Sequence, residues 1–250
     1  MEIARAHMLE LVPGGFEEVE GPGWIELAAY TDSAGEERMR KVFAEVSALS
    51  VEDGWADRWR DFHHPVRVGG LWIGPPWEQP PSDEQAVVVD PGRAFGTGAH
   101  PTTRACIELL AGLERGALLD AGCGSGVIAV AAVRLGFRPV IAVDNNPVAV
   151  EVARETVRRN RVAVAVHGLD VFRDAVPATD VMVANIELAV VEALLARRLS
   201  STIVTAGYLA GERPRADGWT VARALELEGW AAHVLVATDE PRERLVTSCY

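Results

Sequence analysis

The stretch "LLDAGCGSGVIAVAAVRLG", Leu118 to Gly136, followed by "PVIAVD", Pro139 to Asp144, decides the fold. "ALLDAG", Ala117 to Gly122, reads as a strand that runs into three closely spaced glycines, as a strand entering a tight turn does. "SGVIAVAAVRLG" then has the length and apolar content of a buried helix, and "PVIAVD" is a second buried strand. Strand, glycine loop, helix and strand in this order make one β-α-β unit with parallel strands. The alternation continues outward. Upstream lie a strand in "QAVVVD", Gln85 to Asp90, and a helix in "PTTRACIELLAGL", with Pro101 near its first turn. Downstream come helix "NPVAVEVARETVRRN", strands "VAVAVHG" and "DVMVANI", helix "AVVEALLARRL" and strand "STIVTAG". "TVARALELEGW" reads as a further helix, and "AAHVLVATDEPRERLVTSCY" as two strands joined by a turn near Asp239 to Pro241. Repeated β-α-β units predict an α/β fold: an open, doubly wound, mostly parallel sheet covered on both faces, closed by one terminal antiparallel strand.

Residues 84–250 form this large domain, and two smaller regions precede it. Residues 1–50 read as a small N-terminal α+β domain, suited to substrate recognition. "HMLELV" and "WIELAAY" are strand-like, "PGGFEEVEGPG" is rich in turn residues, and "SAGEERMRKVFAEVSAL" has helical spacing through Met39, Val42, Phe43 and Val46. Residues 51–83 read as a linker. Trp55, Trp59, Trp72 and Trp77 anchor it against the larger domain, while Pro75, Pro76, Pro80 and Pro81 break regular structure.

The 250 residues are 49% hydrophobic and 24% charged, with a formal net charge of -12. An acidic chain of this kind lacks the basic stripe of a nucleic-acid surface, so direct nucleic-acid binding is not expected. Cys106, Cys123 and Cys249 form no CxxC pair, which fits a reducing cytoplasm. No signal peptide is visible at the start, and the most apolar segment is short and carries Arg134, so neither membrane insertion nor export is expected. His63 and His64 are adjacent and lack spaced acidic or cysteine partners, so no metal site is expected.

The glycine loop predicts a ligand at the carboxyl ends of the strands. Its pattern is GxGxG, with Gly122, Gly124 and Gly126 and a valine at 127, so it departs from the dinucleotide fingerprint GxGxxG; GxxxxGK[ST] is absent as well. Asp144 ends the next strand, where a carboxylate meets ribose hydroxyls. Together these favour a nucleoside without a pyrophosphate, whose tail the loop holds. Asp120 is placed to meet an ammonium group on that tail. Asn145 follows Asp144. Asp170 follows the strand "VAVAVHG".

This strand-DxGxGxG-helix-strand-Asp order resembles the class I S-adenosylmethionine-dependent methyltransferases, and the resemblance implies a Rossmann-like seven-stranded sheet, S-adenosylmethionine as cofactor and a place near the adenine for Asp170, for which a turn-capping aspartate is the alternative. A second glycine-rich stretch is more specific. "DPGRAFGTGAHPTT", Asp90 to Thr103, with "LWIGPPW" upstream and "AVDNNPVAV" and "VMVANI" downstream, is similar to the signature of the ribosomal protein L11 methyltransferase family. The likeness covers about residues 55–250 and implies methyl transfer to lysine side chains or an N-terminal α-amine of that ribosomal protein, the expected partner. Two features depart from the family pattern: the first 50 residues are shorter, and Glu187 stands after Asn185 and Ile186 where the family carries leucine. A methyltransferase with another protein or small-molecule acceptor is the alternative, and an inactive cofactor-binding module a third reading.

The resemblance implies that Asn185 is catalytic and also borders the cofactor, its amide oxygen orienting the acceptor amine while Nδ2 is held elsewhere. A helix cap is the structural alternative for it. Glu187 reads as a first-turn acid favoured by the helix dipole. In the first loop, Phe95, Gly96, His100 and Thr103 are expected to close over the methionine end of the cofactor, with the following helix N-terminus suited to its carboxylate; for His100, contact with the acceptor amine and a purely structural role are the alternatives.

Overall fold

The computed structural model describes residues 7, 8, 11, 17–21, 24–29, 31, 33–43, 45–48, 63–82, 84–91, 96, 98–215 and 217–238. The chain forms two compact units, Met1–Trp59 and Arg60–Tyr250. In the first, β1 (Glu17–Gly21) pairs antiparallel with β2 (Trp24–Ala28), and α1 (Ser33–Val42) follows. Met8 and Met39 are buried there, with Leu11, Leu27, Phe43 and Val46 packed around them. Two expectations change. His7, Met8 and Leu11 are helical where a strand was expected, and β1 occupies part of the glycine-rich stretch read as a turn. Pairing with β2 decides the second case, because strand preference depends on partners more than on intrinsic propensity.

The second unit carries two sheets. β3 (Val66–Val68), β4 (Leu71–Gly74) and β5 (Gln85–Val88) form a small one, with β4 antiparallel to β3 and parallel to β5. Regular structure thus enters the segment read as a linker, and Trp72 lies buried within it. The strand in "QAVVVD" belongs to this small sheet and not to the large one.

The large sheet has seven strands. They are β6 (Leu118–Ala121), β7 (Val140–Asp144), β8 (Ala165–Gly168), β9 (Thr179–Asn185), β10 (Ser200–Leu209), β11 (Trp219–Leu227) and β12 (Trp230–Ala237). Their order is β11-β12-β10-β9-β6-β7-β8, and β12 alone runs antiparallel to its neighbours β10 and β11. Among the described residues, four helices belong to the same unit: α2 (Pro101–Ala111), α3 (Val127–Leu135), α4 (Pro147–Asn160) and α5 (Leu188–Arg197). Alternate strand residues feed opposite faces, as a period of two requires. Leu118, Val181, Val183 and Val204 join α2, α3 and α4 in one core. Leu119, Met182, Ile203 and Leu235 join α5 in the other. The sheet is therefore doubly wound, and this Rossmann-like architecture is the one its sequence implies.

The end of the chain departs from expectation. "TVARALELEGW" is not a helix: its residues build β11 and the turn into β12. Alanine, leucine, glutamate and arginine favour helix by propensity, and pairing along the apolar β12 overrides them. The antiparallel hairpin that closes the sheet is β11–β12; the second strand expected after Pro241 lies outside the described residues.

Candidate active site

Strand order locates the site. From β6 the chain continues to β7 and β8 on one side, while β9 and β10 lie on the other, so the order reverses beside β6. Open sheets bind ligands at such a reversal, beyond the carboxyl ends of the strands. A cavity of about 770 Å³ opens there. Asp144 ends β7 and Asn185 ends β9, and both line it together with Gly122, Gly124, Asn145 and Asp170. Because β12 runs antiparallel, its first residue, Trp230, arrives at this same edge. His100, which precedes α2, completes that side.

The loop after β6 is shaped by its own hydrogen bonds. The Gly124 N–H donates to Asp144 Oδ2 at 3.0 Å, and the Asn146 N–H to Asp144 Oδ1 at 2.9 Å. Asn146 in turn caps α4 by accepting from the Val148 N–H at 2.9 Å. Asp144 is thus held rigidly at the rim, with lone pairs on both oxygens remaining for a diol. Gly126 has another task. It lies outside the cavity lining, at φ +77°, and a Cβ there would stand 3.1 Å from the Ala153 backbone, so its missing side chain lets α3 approach α4.

Asp120 sits beneath the loop, 1% exposed, and its Oδ2 has no hydrogen-bond partner among the described residues. Burial pushes its carboxyl up to about 7; an Ala129 backbone hydrogen bond opposes the rise and the nearby Asp144 charge adds to it. A cationic group next to it would offset this cost. Burial, followed by the charges of Asp120 and Asp144, pushes the Cys123 thiol far up and so disfavours its thiolate.

The two glycine loops are stapled together by a residue that the sequence did not single out. Ser125 is fully buried, and its hydroxyl donates to the Gly96 carbonyl at 2.6 Å while accepting from the Val127 N–H at 3.3 Å. A hydroxyl amid glycines at a helix start was the available signal. Phe95 lies outside the described residues.

The start of α2 is already engaged. His100 Nδ1 accepts from the Thr102 N–H at 3.3 Å and lies 2.8 Å from Thr102 Oγ1, so Nε2 carries the ring proton. Burial, then the Arg104 charge, lowers its pKa against a smaller pull from Glu228, keeping the ring neutral. Thr103 is fully buried and accepts from Asn185 Nδ2 at 3.5 Å. Asn185 Oδ1 is left buried without a partner among the described residues. The asparagine thus has its amide nitrogen engaged inside the protein and its oxygen left as an acceptor. It is not the cap of α5; that place belongs to Glu187, whose side chain makes no capping bond and lines the cavity. Asp170 Oδ1 accepts from the Phe172 N–H at 2.9 Å, and the residue lines the cavity.

Across the sheet, Gly207 sits at a register shift in β10 with φ +104°, and a Cβ there would stand 2.4 Å from the Ile186 carbonyl oxygen. Gly207→Ala would force Ile186 away beside Asn185. The expected cost is about 3 kcal/mol, seen in calorimetry as a Tm lower by roughly 6–12 °C. An unchanged Tm would mean that the strand relaxes freely.

These features fit S-adenosylmethionine: a rim carboxylate for a ribose, one cavity lined by both Asp144 and Asn185, and, beneath the loop and outside the cavity lining, the buried orphan carboxyl oxygen of Asp120 for an ammonium group. The comparisons agree. The family model described as ribosomal protein L11 methyltransferase (PrmA) matches residues 24–211. A protein of that name from Symbiobacterium thermophilum is 34% identical over 92% of this chain and 84% of its own length. Another from Pelobacter propionicus is 44% identical over 66% of this chain and 58% of its own. The crystal structure of a ribosomal protein L11 methylase from Lactobacillus delbrueckii subsp. bulgaricus superposes with a TM-score of 0.62 at 24% identity, over 70% of this chain and all of that one, which supports the fold. The chain belongs to the ribosomal protein L11 methyltransferase family and is an S-adenosylmethionine-dependent methyltransferase.

Proposed function

We propose that this enzyme methylates amines of ribosomal protein L11, on lysine side chains or at the N-terminus, in the cytoplasm. The observation that carries the reading is Asn185, a cavity-lining residue whose buried Oδ1 has no partner among the described residues while Nδ2 donates to Thr103. S-adenosylmethionine supplies an electrophilic methyl group on a sulfonium. Asp144 and Asp170 would hold its nucleoside portion, Gly122 and Gly124 its amino-acid tail, and Asp120 the ammonium end of that tail. The acceptor must arrive as a neutral amine, although lysine ordinarily titrates near about 10.4. Glu187 on the cavity wall draws the cationic form in, and burial beside a positive charge favours loss of its proton. Asn185 Oδ1 then accepts from a remaining N–H and aims the nitrogen lone pair. Thr103 prevents the amide from rotating. His100, neutral and held through Nδ1, adds no competing positive charge. Alignment of this kind contributes roughly 7–11 kcal/mol to a two-body reaction. The test is incubation of the enzyme and S-adenosylmethionine with purified ribosomal protein L11, read by intact mass. Addition of whole methyl increments is expected. An unchanged mass, with cofactor binding demonstrated by calorimetry, would transfer the activity to another acceptor.

A further inference from the structure

Glu228 and Gly229 form the two-residue turn between β11 and β12, with Leu227 paired to Trp230. Both turn residues have positive φ, +51° for Glu228 and +83° for Gly229. This is the pattern of a type I′ turn, whose first central position favours asparagine, aspartate or glycine. Glutamate is a poor residue there, because its Cβ crowds the backbone in the left-handed region. Its side chain has another engagement: Glu228 Oε1 accepts from Arg104 Nη2 at 2.5 Å, across 124 positions of sequence. Arg104 stands one turn along α2 from His100, and its side chain is 22% exposed against 61% for Glu228. Two residues beyond Glu228, Trp230 meets the His100 ring edge-on, with centroids 5.1 Å apart at 65°. Trp230 and His100 both line the cavity; Arg104 and Glu228 do not.

The sheet shows which part of the cavity this is. Asp144 ends β7 and Trp230 opens β12, four strand spacings away, or about 19 Å. Trp230 therefore stands on the Asn185 side, remote from the ribose end. An aromatic wall two strands from Asn185, whose Oδ1 has no partner among the described residues, suits a cationic or methylated amine, which packs favourably on a ring face.

Resting on the function proposed above, we infer that the Arg104–Glu228 pair is a clasp that positions Trp230 as the wall of the acceptor end of the cavity. Both are positioning residues, acting through Trp230. The clasp joins the start of α2 to the β11–β12 turn and so fixes His100 and Trp230 relative to each other.

Three full-length variants test it. Glu228→Gly suits the turn backbone better but removes the clasp. Glu228→Gln removes only the charge, and the double exchange Arg104→Glu with Glu228→Arg restores a pair of reversed sense. For a partly exposed ion pair, the KM for ribosomal protein L11 is expected to rise about two- to fivefold in both single variants. The dissociation constant for S-adenosylmethionine should stay unchanged, and the Tm of Glu228→Gly should not fall. Hydrogen exchange of the amides from Glu226 to Ala232 should quicken in both single variants, and the double exchange should recover at least half of each change. Wild-type acceptor KM and exchange in Glu228→Gly would overturn the clasp, as would a double exchange no better than Glu228→Gln. If the wild-type enzyme leaves ribosomal protein L11 unmodified, the function proposal fails, and the exchange measurements still decide the clasp.

Discussion

Asn185→Ala is expected to lower kcat for methyl transfer about a hundredfold or more, while the dissociation constant for S-adenosylmethionine changes less than about threefold. The split follows from what the side chain touches. Nδ2 is spent on Thr103 at 3.5 Å, inside the protein, and Oδ1 is buried with no partner among the described residues. A buried acceptor left unmade is costly, so a site that keeps one is shaped for a donor yet to arrive. An acceptor amine is such a donor. Alanine leaves the amine in the cavity but removes what directs its lone pair, and misplacement by about 1 Å costs on the order of a hundredfold in rate. An interaction made mainly in the transition state appears in kcat and kcat/KM together. Single-turnover transfer alongside calorimetry reads both quantities. Equal losses in rate and cofactor affinity would assign Asn185 to the cofactor and not to the amine. Thr103→Val is the companion variant: it leaves Oδ1 in place, frees the amide to rotate, and should cost less than Asn185→Ala.

The contrast between Asn185 and Trp230 shows what the sequence carries. Asn185 was legible because it closes an apolar strand, "VMVAN", inside a regular alternation, so its place at the strand end follows from counting. Asp144 and the loop from Gly122 to Gly126 were legible for the same reason. Trp230 was not. Its position depends on β12 running antiparallel, which brings the beginning of a strand to the edge where all other strands end. Reading Thr220 to Trp230 as a helix hid both the turn and its glutamate, because "ARALEL" has helical propensity and only pairing with β12 overrides it. The small sheet β3-β4-β5 was hidden by prolines that flank short strands, and β5 was assigned to the wrong sheet because period and apolarity do not name a partner. Ser125 was lost among glycines whose roles are easier to argue. Local pattern placed what belongs to a β-α-β unit; contacts distant in sequence placed the rest.

Asp120→Asn is expected to make the protein more stable above neutral pH and worse at holding its cofactor. The carboxyl is 1% exposed, and burial raises its pKa from 3.8 to about 7. In the unfolded chain it ionises near its ordinary value. Between about pH 4 and pH 7 the folded chain therefore holds a proton that the unfolded chain has lost, so stability falls as pH rises through that window. Each decade of displacement is worth about 1.4 kcal/mol, which puts the accumulated penalty above pH 7 at up to about 4 kcal/mol. Asparagine has the same shape and never ionises, so the variant should escape the fall. Its Tm should exceed that of the wild type by several degrees at pH 8 and match it near pH 4. The orphaned Oδ2 explains why the penalty is kept. A carboxylate is what an ammonium group recognises, and a charge-assisted hydrogen bond is roughly twice as strong as a neutral one. The loss of S-adenosylmethionine affinity at pH 8 should be about tenfold or more, since hydrogen bonds to charged groups contribute about 1.5–3 kcal/mol. Calorimetric melting from pH 4 to pH 9, with titrations of the cofactor at pH 8, reads both effects. If Asp120→Asn melts with the wild type at pH 8 and binds the cofactor equally well, Asp120 is a structural acid with no ammonium to meet. If it gains stability and keeps full affinity, the ammonium group is held elsewhere, and the rim carboxylates Asp144 and Asp170 are the groups to substitute next.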